Sequence, residues 1–142
     1  MYKCKFVLIL FLISFPFFSY SQERSTSIIK ERMNKFQESK NLMRTINKSL
    51  SDNNFDVITQ SAEKLNKWAI EMHKYFPKGS EASSSNKSQA SDNTWSDPEG
   101  FKKAVKKFEI TSAKLIKISQ NKNIDDTAVS YTHLTLPTRT RV

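Results

Sequence analysis

The sequence predicts an all-α protein, an antiparallel four-helix bundle whose fourth helix is missing or only begun. Three apolar seams of similar length recur at alternating three- and four-residue spacing, the period of one helix face. Short or polar links join the seams. Glycine and proline are sparse, 2 and 4 in 142 residues, and strand-type alternation is almost absent, which argues against a sheet. Three helices alone leave an apolar groove open, so a fourth is expected to close it.

Residues 1–21 read as a secretory signal. Lys3 and Lys5 precede an apolar run from Phe6 to Ile13, and Ser19 and Ser21 flank Tyr20, which places cleavage after Ser21. The run is shorter than the roughly 20 residues that cross a bilayer, and Pro16 interrupts it; an uncleaved anchor is the alternative. Cys4, the single cysteine, lies ahead of the apolar core, where a lipoprotein acceptor would not sit. It leaves with the signal, and no disulfide or thiol chemistry remains. The mature chain is then exported, to the periplasm or an equivalent compartment. Lys3 and Lys5 carry two of the formal +9 charges, leaving +7. The remaining lysines are scattered along helix faces, as at Lys102, Lys103, Lys106 and Lys107, where a solvated surface is the simplest account. An exported chain rarely meets nucleic acid, so none is expected as partner. A weak attraction to acidic redox partners or an anionic membrane is compatible with the charge.

The first helix is expected to start near Ser25 to Ser27, whose hydroxyls can cap free amides, and to run to Ser49 or Leu50. Its seam reads Ile29, Arg32, Phe36, Ser39, Met43, Ile46 and Leu50. Arg32 is out of place in a core, because a guanidinium removed from water is costly unless an anion meets it. Either it snorkels to water at the bundle end, or it awaits a carboxylate entering there. Asn53 or Asn54 can cap the second helix, whose seam is Phe55, Ile58, Ala62, Leu65, Ala69, Met72 and Phe76. Pro77 and Gly79 end it. Residues 78–93 form a serine-rich surface loop without apolar anchors. Ser96 as cap, Pro98 and Glu99 open the third helix with a capping box. Its seam is Phe101, Ala104, Phe108, Thr111, Leu115 and Ile118.

Asn121 to Asn123 make the next turn, and Asp125 or Asp126 is positioned to cap a fourth helix. From Val129 onward no helical seam continues, and Pro137 interrupts the run. Val129 to Thr138 back-translates to fit a transposase adapter used in preparing sequencing libraries, so residues 129–142 read as a non-native tail. The alternative is a natural, disordered threonine-rich tail. On either account His133 is not a designed ligand.

No nucleophile, acid pair or metal cluster is visible, so the chain is not expected to be an enzyme. His73 sits one position off its seam and reads as a surface histidine. Met33, Met43 and Met72 fit packing better than ligation. Trp68 and Trp95 read by type as a core edge or a loop anchor.

Arg32-x-x-x-Phe36 followed by Met43, Ala62 to Leu65, Phe76-Pro77-x-Gly79-Ser80, and Trp95-Ser96-Asp97 with Phe101 together resemble cytochrome c′, the class II c-type cytochromes. Cytochrome c′ is itself among the standard four-helix bundles, so the resemblance carries the fold with it. It covers roughly 27–128, within a single domain at 22–128. It implies haem c in the complete protein, held among the helices. Arg32 is implied near a propionate, Phe36 over the distal face where many relatives have methionine, and Thr94 and Trp95 at the pocket edge. Met33 and Met43 complete the cofactor-binding residues. Implied partners are haem, redox proteins or a small gas, and a second copy of the chain. The family attaches haem through C-x-x-C-H, where two thioethers and an axial histidine hold the group. That motif is absent from this chain, so the chain as written attaches no haem covalently and offers no metal ligand. The resemblance thus implies an exported cytochrome cut before its attachment helix, carrying electrons or binding a gas. A haem-free exported bundle that binds a partner protein through its open groove is the alternative.

Overall fold

In the computed structural model the described residues are 17–135, with side chains from Thr26 onward. All regular structure among them is helical: α1 (Phe17–Ser51), α2 (Phe55–Glu71), a 3-10 turn (Met72–Tyr75), α3 (Asn93–Ser96), α4 (Pro98–Gln120) and α5 (Ile124–Thr135). The α2–α4 pair forms the most extensive packing; α1 packs on α2, α5 on α4, and α1 meets α5 only lightly. The four longer helices therefore follow one another around a bundle that is thinly closed between its first and last members. No helix among the described residues is long and apolar enough to cross a membrane.

The tight turns work because two residues accept a left-handed backbone. Asn53 (φ 51°) joins α1 to α2 and Lys122 (φ 55°) joins α4 to α5. Asn tolerates this conformation better than Lys does. Asn54 caps α2, its Oδ1 accepting from the Val57 amide. At the other end of α2 the 3-10 turn tightens the chain, and Gly79 (φ 85°) supplies the turn beyond Pro77.

The core is Ile46, Ile58, Ala62, Leu65, Leu115 and Leu134, each fully buried. The α2 seam holds as expected, with Ala69 and Met72 extending it. On α4 the buried positions are Ser112, Leu115 and Ser119, so two seam members move by one residue from Thr111 and Ile118. The cause is a polar interlock. Asn66 Nδ2 donates to Glu109 O at 2.8 Å and to Ser112 Oγ at 3.0 Å, and the Thr59 and Ser119 hydroxyls are bonded at 2.8 Å. Small hydroxyl residues let the two backbones approach, and bulkier Ile118 is rotated to the flank.

Three expectations are corrected. The first helix begins at Phe17, so the expected capping positions 25–27 lie inside it. Asp97 caps α4, its Oδ1 accepting from the Gly100 amide at 2.9 Å, in place of Ser96. Asp97→Ala is expected to cost about 1 kcal/mol, the usual loss for a cap, read from a chemical-denaturation midpoint. Residues 129–135 continue α5, with Thr127, Ser130 and Leu134 buried. Hydroxyls that bond back to the preceding turn, as Thr127 Oγ1 does to Asn123 O, let this helix pack without an apolar seam. The expected signal at 1–21 lies mostly outside the described residues, as do 136–142.

Candidate functional site

Arg32 lies on α1 at the level of the 3-10 turn and is 3% exposed, so it does not snorkel. Its Nη1 donates to Tyr75 O (2.9 Å) and Ser80 Oγ (3.0 Å); its Nη2 donates to Ser80 O (2.8 Å) and Ser88 Oγ (2.8 Å). All four acceptors are neutral. Burial pushes the guanidinium below its ordinary pKa, and the charge of Glu81 acts in the opposite sense. The group remains a cation, since arginine does not deprotonate in proteins.

Aromatic rings enclose this charge. Arg32 Cζ stands 4.5 Å from the Phe76 ring centroid and 5.8 Å from that of Trp95, within cation–π range. Phe76 in turn meets Phe36 (6.4 Å between centroids), Trp95 (5.9 Å) and Phe101 (4.8 Å). Phe36 also packs edge-on against Trp68 at 5.6 Å, and Trp68 against Tyr75 at 5.1 Å. Within this cluster the indole nitrogens of Trp68 and Trp95 and the Thr94 hydroxyl are buried without a hydrogen-bond partner. A cation with no acid in contact, beside unpaired buried polar groups, makes a local environment that favours an anion.

Phe36 joins the cluster to a groove of about 480 Å³ between α1 and α5, lined also by Ser39, Lys40, Met43, Arg44, Asn47 and Tyr131. The volume lies in the range of small-molecule sites. Phe36 is 46% exposed although it lies on the α1 seam. The two helices are bridged by the Tyr131 hydroxyl, which donates to Met43 O at 2.9 Å. Burial raises the Tyr131 pKa. The neutral phenol is therefore favoured in the fold, and its contribution to stability is present below the unfolded value near 10 and lost as pH rises above it. Alkaline unfolding should show this loss, and Tyr131→Phe should remove that pH dependence.

This fold and the residues within it coincide with a known family. Residues 27–135 match the family described as Cytochrome C'. The chain belongs to the cytochrome c′ family. Its members are haem-binding c-type cytochromes and are generally not enzymes. No curated protein and no solved structure matches the chain.

For this cytochrome c′ chain the fit to haem is divided. The groove and aromatic cluster suit a flat apolar ring, and Arg32, Lys40 and Arg44 suit its carboxylates. Attachment and ligation do not fit: no cysteine lies among the described residues, and His73 and His133 are both exposed. No group of three or more His, Cys, Asp or Glu side chains among the described residues is placed to hold a metal ion.

Of the expected site residues, Arg32, Trp95 and Phe36 come together through Phe76, and Thr94 lies beside Trp95 on α3. Met43 lines the groove with Phe36. Met33 is 40% exposed and lines no part of it. Sequence reasoning gave no site role to Ser80, quoted only within the family pattern and fully buried in a loop expected to be surface, nor to Ser88 and Tyr75; Trp68, read as a core edge, is buried and joins them. The signal was present: an arginine in an apolar seam must find acceptors, and the serine-rich segment after Pro77 was the nearest supply.

Proposed function

We propose that this chain is the helical body of an exported haem c protein that transfers electrons or binds a small gas. Membership of the cytochrome c′ family across 27–135 carries the reading, and the groove beside Phe36 supports it. Bound haem supplies one-electron redox chemistry and a coordination site for a diatomic gas. Phe36 and Met43 would pack the ring, Arg32 would balance its carboxylate charge, and Thr94 and Trp95 would border it, with Met33 at the outer edge. Position 36 would supply no metal ligand, and its phenyl ring would limit what enters the groove beside it. Residues 1–21 direct export and are removed. Acidic redox proteins are the expected partners, with a homodimer compatible.

Reading the genomic sequence beyond Asp126 tests this: a C-x-x-C-H in a fourth helix is expected, and an unrelated helix or a stop codon overturns it. In solution, haemin added to the chain is expected to shift its Soret absorption, and Phe36→Glu, which puts a charge against the ring, should weaken that binding about tenfold or more. The exposure of Phe36 at the open groove favours a second reading, a haem-free bundle that docks a partner protein there. Absence of any haemin shift together with no downstream motif would select it.

A further inference from the structure

Arg32 is the sole buried cation of the described core, and the hydrogen bonds it donates all go to uncharged oxygens. Those partners are unequal. Ser80 is fully buried, accepts through both its hydroxyl and its carbonyl, and donates its own hydroxyl proton to Pro77 O at 2.8 Å. Ser88 is half-buried and accepts through its hydroxyl alone. It belongs to a segment that is bonded mainly to itself. Asn86 Nδ2 donates to Glu81 O, while Asn86 Oδ1 accepts from the amides of Ser83 and Ser88. Residues 82–85 are exposed. The knuckle 81–88 is thus tied down to α1 through Ser88, while Ser80 stays fixed as the hinge post.

The segment leads directly into α3, where Thr94 and Trp95 keep buried polar groups unpaired and the Trp95 ring stands 5.8 Å from the guanidinium. A carboxylate on a guanidinium makes shorter and roughly twice stronger hydrogen bonds than a neutral hydroxyl does. In a water-poor site the difference grows. An entering carboxylate therefore outcompetes Ser88, whereas Ser80 is too deeply embedded to be displaced.

We propose that residues 81–92 form a lid latched by the Arg32–Ser88 hydrogen bond, and that a carboxylate opens it by taking the place of Ser88 on the guanidinium. The proposal rests on the haem reading only for the identity of that carboxylate, a propionate side chain; the latch belongs to the chain itself. A latched lid lowers the apparent affinity of the carboxylate by the fraction of molecules that are open. Ser88 and Arg32 consequently act with opposite signs on binding: loss of Ser88 tightens it, loss of Arg32 weakens it.

Amide hydrogen exchange on the full chain tests the latch without haem. Ser88→Ala is expected to speed exchange in 81–92 about tenfold, the effect of losing one hydrogen bond to a charged group, while α2 and α4 keep their protection. Sodium propionate is expected to speed exchange in the same segment of the native chain, compared with sodium chloride at equal ionic strength. Unchanged exchange in Ser88→Ala, or no response to propionate, overturns the proposal. Haemin titration separates the two ideas. Tighter binding to Ser88→Ala supports both, and weaker or unchanged binding there overturns the latch. A chain that opens with propionate yet takes up no haemin keeps the latch and loses the haem reading.

Discussion

Arg32→Met is expected to destabilise the protein by about 3–5 kcal/mol, a large share of the roughly 5–15 kcal/mol that holds a domain together. Methionine keeps an unbranched apolar stem but ends short of the guanidinium's place. It offers no donors, so the carbonyls of Tyr75 and Ser80 and the Ser80 hydroxyl lose their partner in a place closed to water. An unpaired buried acceptor costs about 1–3 kcal/mol, which accounts for the size of the effect. The cation–π contact with Phe76 is lost as well. Urea denaturation followed by Trp fluorescence measures it. A midpoint that does not move would mean that the 76–88 turn stands without its arginine. Arg32→Lys should recover only part of the loss, because an ammonium cannot span four acceptors set on a planar fork.

Leu115→Ala should cost about 2–5 kcal/mol, the range for truncating a buried leucine. Leu115 is fully buried where α4 meets Ile58, Leu65 and Ile46, and Leu134 closes the cluster from α5. The larger value applies if the surrounding helices keep their positions, and the hydroxyl bonds that hold α4 to α2 favour that outcome. Ile110→Ala on the same helix is the control. Ile110 is 56% exposed, so its truncation should stay within about 0.5 kcal/mol. Equal losses at both positions would contradict the assigned faces of α4.

How far the chain could be read follows from where apolar side chains do the packing. The α2 seam was legible from Ile58 to Met72 because those residues are the core itself. The α4 seam was legible only to within one position, since spacing reports apolar residues and the buried contacts there are made by Ser112 and Ser119. The final helix was legible at its start, at Asp125 and Asp126, and its continuation past Val129 was not, for the same reason: Thr127 and Ser130 occupy its inner face. At the site, Arg32, Phe36, Trp95 and Thr94 were marked by residue type and by the family pattern. Ser80, seen only as part of the family pattern, and Ser88 were not paired with Arg32, because that partner lies 48 and 56 residues away in sequence.

The interlock between α2 and α4 also acts as a vernier. Asn66 with Ser112 and Thr59 with Ser119 meet one heptad apart on each helix, so sliding α4 by a single turn, about 5.4 Å, would break both engagements at once. Because α3 is joined to the front of α4, that calibrated depth also decides how high the indole of Trp95 rides above the guanidinium.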